Sequence, residues 1–145
     1  MAKKFKFKLE SFLKIKKFNV QKAEDGLNKI LGLKYAREQT ILSLKNEILE
    51  INNYKGKSTI MDLQSNFHRK TFIDELIVKE KYEISKLEEI EYIKRQDLTK
   101  ALKEEKIIEK IKEKKIIEHK LELNKEEEFQ LDEIGIAGFV KNSKE

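Results

Sequence analysis

The sequence predicts an all-α protein, an elongated antiparallel two-helix coiled-coil hairpin, and three observations lead there. Charged residues make up 41% of the chain and hydrophobic ones 39%, with no Pro and five Gly. A compact globule rarely carries so much charge, because it must solvate every charge while burying a core. Paired helices need only a narrow buried seam. The second observation is enrichment in Glu, Lys, Leu and Ile at helical spacing, which separates coiled coil from the disorder that high charge alone would also fit. The third is a single cluster of turn-forming residues, Asn52-Asn53-Tyr54-Lys55-Gly56-Lys57-Ser58, which divides the chain into two arms.

The first arm, about 5–52, carries a heptad seam from Leu9 to Ile51. One set of positions is Leu9, Lys16, Ala23, Ile30, Arg37, Leu44 and Ile51, and the other is Leu13, Val20, Leu27, Lys34, Ile41 and Ile48. Ten of these thirteen are apolar, as a coiled-coil face requires. Lys16, Lys34 and Arg37 interrupt it. A charged seam residue costs stability but fixes register, or leans its stem on the seam with its head in water. Gly26 and Gly32 each cost about 1 kcal/mol relative to Ala in a helix.

The bend covers about 52–66, and Ser58 or Thr59 is placed to cap a short helical turn before Asp62. The second arm, about 67–134, reads less regularly. Ile73, Ile77, Ile84 and Leu87 keep one register, while Ile90, Leu98, Leu102, Ile108 and Ile111 slip across it, the pattern of a stutter. Glu75/Lys79 and Glu91/Arg95 have the spacing of helix-surface ion pairs. At a helical rise of 1.5 Å per residue the arms would span about 65 Å and 100 Å. Antiparallel pairing therefore leaves roughly the last third of arm two without an intrachain partner, which makes room for another protein. Residues 135–145 are expected to form a flexible tail, so the hairpin domain is 1–134.

Several function classes lose their footing. The chain has no Cys, which excludes disulfides, thiolate nucleophiles and zinc–thiolate sites and fits a reducing cytoplasm. Its longest uncharged apolar stretch, Ile134 to Val140, is far shorter than a membrane span, and the N-terminus has charges where a secretory signal is apolar. His68 and His119 stand alone and read as solvated surface residues rather than metal ligands. Glu88-Glu89 and Glu126-Glu127-Glu128 lie on helices with no cleft to raise a carboxyl pKa for acid–base work. No glycine-rich phosphate loop or Ser/His/Asp set is present. The sequence thus names no catalytic residue, no cofactor and no metal site, and the expectation is a protein that is not an enzyme.

The ends carry the unusual residues. The first 17 residues hold seven Lys against the single Glu10, a local charge of +6, so the remainder sums to −1. Phe5, Phe7, Phe12 and Phe18 lie at the N-terminus, Phe67 and Phe72 just after the bend, and Phe129 and Phe139 near the C-terminus. A large ring fits a two-stranded seam poorly, and aromatic residues are the usual anchors of interfaces. Two readings fit: partner docking, or local capping of the hairpin ends. The candidate partner-binding residues are Phe5, Phe7, Leu9 and Leu13 at one end and Phe72 and Leu76 near the other. Phe72 and Leu76 are four residues apart and share a helical face, beside the better seam residues Ile73 and Ile77. For the N-terminal Lys/Phe alternation, a solubilising tip and single-stranded nucleic acid are the competing readings. No known module frames a nucleic-acid site, and nucleic acid is not expected as a partner.

Three stretches resemble one family. Phe5-Lys6-Phe7-Lys8-Leu9-Glu10-Ser11-Phe12-Leu13 is similar to the F-x-F-x-L-E-x-x-L opening of the flagellar FliJ family. Thr71-Phe72-Ile73-Asp74-Glu75-Leu76 resembles the start of that family's second helix, and Glu128-Phe129-Gln130-Leu131-Asp132-Glu133-Ile134 its closing segment. Order, spacing and chain length agree. The tail from Gly135 departs from the pattern. The resemblance implies a stalk and adaptor of the flagellar protein-export apparatus, at work in flagellum biogenesis and hence motility. Its partners would be the export ATPase hexamer, the cytoplasmic domain of the export-gate membrane protein and the export chaperones. Its place would be the cytoplasm, peripheral to the cell membrane at the flagellar base. Two alternatives stay open: a generic structural coiled coil, including a stalk subunit of another rotary ATPase, and a basic membrane-surface or nucleic-acid binder.

Overall fold

The computed structural model describes residues 4–54, 56 and 59–143, with side chains as far as residue 141. Helix α1 spans Glu10–Asn52 and helix α2 spans Ile60–Ser143; no strand occurs among the described residues. The fold is an all-α two-helix hairpin, as the heptad pattern requires.

Local chemistry sets the helix ends. Residues 4–7 run irregularly into a turn, where the Glu10 amide donates to the Phe7 carbonyl at 3.1 Å and the Leu13 amide to Leu9 at 2.8 Å. Glu10 then sits at the positive end of the helix dipole. At its other end α1 closes with the Asn53 amide donating to Leu49 at 2.9 Å. Helix α2 opens on a reciprocal cap. The Asp62 amide donates to Thr59 Oγ1, and the Thr59 amide donates to Asp62 Oδ2, both at 3.1 Å. Thr59 therefore caps α2 itself rather than a separate short turn, and arm two begins at Ile60 instead of about 67.

The far end differs too. Backbone expected as a tail is helical through Ser143. Gly135 and Gly138 each cost about 1 kcal/mol against Ala, but extending an existing helix needs no new nucleus, and no Pro intervenes. Ser58, the other candidate cap, lies outside the described residues, as do Lys3, Lys55, Lys57 and residues 144–145.

The chain divides into two compact units. In the unit Val20–Lys100 the helices pack antiparallel about the bend, with Ile41, Ile73 and Ile77 buried together and Leu44, Ile48, Ile51 and Ile84 against them. In the other unit, residues 1–19 and 101–145, Leu13 is the best-buried residue at 1% exposure and Ile108 is buried as well. Along α1 the buried residues fall every seventh place, at Leu13, Val20, Leu27 and Ile41, with Lys34 filling the gap.

Along α2, covered positions alternate steps of four and three. They run from Asn66 through Ile73, Ile77, Ile84, Leu87, Leu98, Ala101 and Ile108 to Lys112. Ile90 and Leu102 lie off this line, 40% and 45% exposed. The expected slip between Leu87 and Ile108 is therefore absent. The register runs on through Glu91, Lys94 and Glu105, polar residues that an apolar count passes over. Coverage thins after Leu123, and every residue from Asn124 to Lys141 is exposed.

These placements separate seam from surface by energy. Leu13→Ala or Ile73→Ala is expected to cost about 2–5 kcal/mol in urea unfolding followed by circular dichroism. Phe72→Ala, at an exposed position, is expected to stay within about 0.5 kcal/mol of the parent protein. An added Cβ at Gly32 meets nothing within 4 Å, so Gly32→Ala is expected to stabilise by about 0.5–1 kcal/mol.

Candidate functional site

Each of the three charged residues in the α1 seam meets a glutamate of α2. Lys16 Nζ lies 3.0 Å from Glu104, Arg37 Nη1 2.9 Å from Glu80, and Lys34 Nζ 3.4 Å from Glu91 and 3.6 Å from Glu88. Two outlying pairs reverse the polarity: Glu10 with Lys112 at 2.9 Å and Glu47 with Arg69 at 3.5 Å. Within either unit, α2 partners climb in number as α1 residues descend, which is the signature of antiparallel register.

Lys34 is the most enclosed of these cations after Lys16, and Glu91 is only 15% exposed. Glu91 accepts from Arg95 at 2.9 Å, the surface pair legible in the sequence, as well as from Lys34. The Arg95 hydrogen bond is the main reason its pKa is lowered; desolvation opposes it and Lys34 assists. At Lys34 desolvation pulls downward, but Glu91 and Glu88 together outweigh it, so its pKa is raised. The hydrogen bond from Lys112 likewise holds Glu10 below the ordinary carboxylate range.

The six candidate docking residues fall into different environments. Leu13 lies in the seam and offers no surface to a partner; its heptad position sets it toward α2. Phe5 and Phe7 are half-buried because residues 4–9 fold onto α2. The Phe5 ring stands 5.5 Å from His119, tilted by 49°, beside a groove of about 760 Å³ that Phe7, Leu9, Ile111 and Lys115 also line. Leu9 is 40% exposed. Near the bend Phe72 is 60% exposed and Leu76 half-buried, on the flank of the seam residues Ile73 and Ile77.

Phe72 shields neither Phe67 nor Ile60, which are themselves exposed. Capping thus describes Phe5 better than it describes Phe72. Ile60, Met61 and Leu63 form an exposed apolar opening to α2 that sequence reasoning missed. Their assignment to the bend hid them; the Thr59/Asp62 cap was the signal that they begin a helix.

Among the described residues no group of three or more His, Asp or Glu could hold a metal ion, and no helix is long and apolar enough to cross a membrane. Two helices joined by one bend, with exposed aromatic residues near it, define a coiled-coil hairpin protein. The chain belongs to the flagellar FliJ protein family, whose model matches residues 5–144 of its 145. That family consists of non-catalytic flagellar components, and membership gives the chain an export-related role in association with the flagellar export apparatus. Among curated proteins and among solved structures nothing matches.

The paired charges set a pH window. Glu10 and Glu91 have lowered pKa values when folded, so their contribution is complete above the ordinary carboxylate range and is lost as pH falls through the lowered values. Lys34 has a raised value, so its contribution is complete below the ordinary lysine range and is lost as pH rises through the raised one. The thermal midpoint is expected to be flat around neutrality and to drop at both extremes. Lys34→Met should lessen the alkaline drop, which circular dichroism melting across pH would register.

Proposed function

We propose that the protein is a non-enzymatic stalk and adaptor of the flagellar export apparatus. It binds the export ATPase ring at its N-terminal end and the cytoplasmic domain of the export gate near its bend, and it escorts export chaperones. Membership of the family along nearly the whole chain carries this reading. The surface supports it: Phe5, Phe7 and Leu9 gather against α2, while Phe72 stands exposed beside Leu76 near the bend. The protein works peripherally at the cytoplasmic side of the membrane. It contributes no reacting group, and acts by binding one conformation of the ATPase ring better than the others, which shifts the ring's population by that difference in affinity.

Exposed rings supply the binding energy at the bend. Burying one large apolar side chain in a partner groove contributes roughly 1.5–3 kcal/mol. Phe72→Ala with Leu76→Ala is accordingly expected to weaken gate binding about tenfold or more while the melting temperature stays close to the parent's. A stable double variant that binds the gate normally and supports swimming would remove the bend from the docking surface. Phe5→Ala with Phe7→Ala is expected to weaken capture of the purified export ATPase with helix content nearly unchanged. Equal losses of folding and binding would make those rings structural caps on α2.

A further inference from the structure

The first turns of α1 carry a second apolar surface, separate from the Phe5/Phe7 segment and from the seam. Phe12, Ile15 and Phe18 are 43%, 54% and 67% exposed. Steps of three residues on a helix advance the direction by about 60° each, so the three side chains cover one continuous arc. Leu13 marks the opposite, seam-facing side. Lys14 borders the arc on one edge and Lys16 on the other, with the Lys16 ammonium 4.9 Å from the centre of the Phe12 ring; Lys17 falls on the far side, next to Leu13. Lys4, Lys6 and Lys8, all exposed, add charge just ahead of the helix.

Charge on this surface is one-sided. From residue 4 to residue 19 the only carboxylate is Glu10, and its charge is engaged by Lys112 at 2.9 Å. Four lysines, at 4, 6, 8 and 14, remain exposed ahead of and beside three exposed apolar side chains. Apolar and aromatic side chains framed by lysines are the composition of a helix that lies in a lipid–water interface. Lysine suits that setting because its long stem follows the apolar layer while the ammonium stays among the headgroups. A specific protein groove would instead ask for fixed acceptors facing each cation, and lysine is a poor fork for such recognition.

We propose that this surface binds anionic lipid directly. Phe12, Ile15 and Phe18 enter the outer layer of the bilayer, and Lys4, Lys6, Lys8 and Lys14 meet lipid phosphates. The contact holds the N-terminal end of α1 along the membrane surface without crossing it. It uses side chains other than those proposed above to meet protein partners.

The full-length protein tests this by co-sedimentation with vesicles of phosphatidylcholine alone and of phosphatidylcholine mixed with phosphatidylglycerol. Binding is expected only to the mixed vesicles and should decline steeply with added salt. Phe12→Ala with Phe18→Ala, and separately Lys8→Gln with Lys14→Gln, should each lower the partition coefficient by about tenfold or more. Circular dichroism should show unchanged helix content, since all four side chains are exposed. Three results would overturn the proposal: no binding to mixed vesicles, variants that bind as the parent does, or variants that lose capture of the export ATPase while keeping the vesicles. The last would make the surface a protein-docking face.

Discussion

Every other feature rests on a single narrow contact, the strip along which α1 and α2 touch. Only seven hydrophobic residues among those described are buried, so the strip has little apolar area to spare. It is made specific by charges set into it. Lys16, Lys34 and Arg37 stand where apolar residues would otherwise continue the heptads, and each meets a glutamate. Taking such charges partly out of water is costly, and exposed ion pairs return little. Their yield is alignment: a shift of one heptad would set these cations beside different α2 residues, while the apolar residues alone would tolerate it. Stability and register therefore come from different residues of the same strip.

This division explains what could be read from the sequence. On α1 the apolar residues are regular, and Leu13, Val20, Leu27 and Ile41 occupy the predicted line. On α2 several line positions hold Glu80, Glu91, Lys94 and Glu105, and a count of apolar residues drifts onto Ile90 and Leu102 instead. The register becomes clear when Glu80 and Glu91 are matched to Arg37 and Lys34 across from them. The start of α2 was misplaced for a related reason: Asn, Gly and Ser drew attention to the loop, while the Thr59/Asp62 pair that ends it is a two-residue signal. The continuation of α2 to Ser143 has no positive signal at all. It follows from the absence of a breaker strong enough to stop a helix already formed.

The candidate docking residues were legible as a class but not in their individual places. Aromatic residues outside a narrow two-helix seam have little interior to enter, and Phe12, Phe18, Phe67, Phe72, Phe129 and Phe139 are indeed all exposed. Phe5 found cover against His119, which sequence spacing could not reveal because the two are brought together only by the fold. Leu13 shares a motif with Phe5 and Phe7 yet belongs to the strip. A motif can thus mix residues that hold the helices together with residues that face outward.

The polarity of the strip also decides what these helices refuse. At three of its ion pairs the cation belongs to α1 and the glutamate to α2, while Lys112 and Arg69 of α2 meet Glu10 and Glu47 of α1. Two α1 helices laid together would lose the glutamates that Lys16, Lys34 and Arg37 meet, in contacts with little apolar area to offset unpaired cations. Like-with-like association is therefore discouraged by the same side chains that align the hairpin. Paired helices elsewhere often use their seams to recruit identical copies; here the seam is filled by the chain's own second helix, and its outward faces are what other molecules meet.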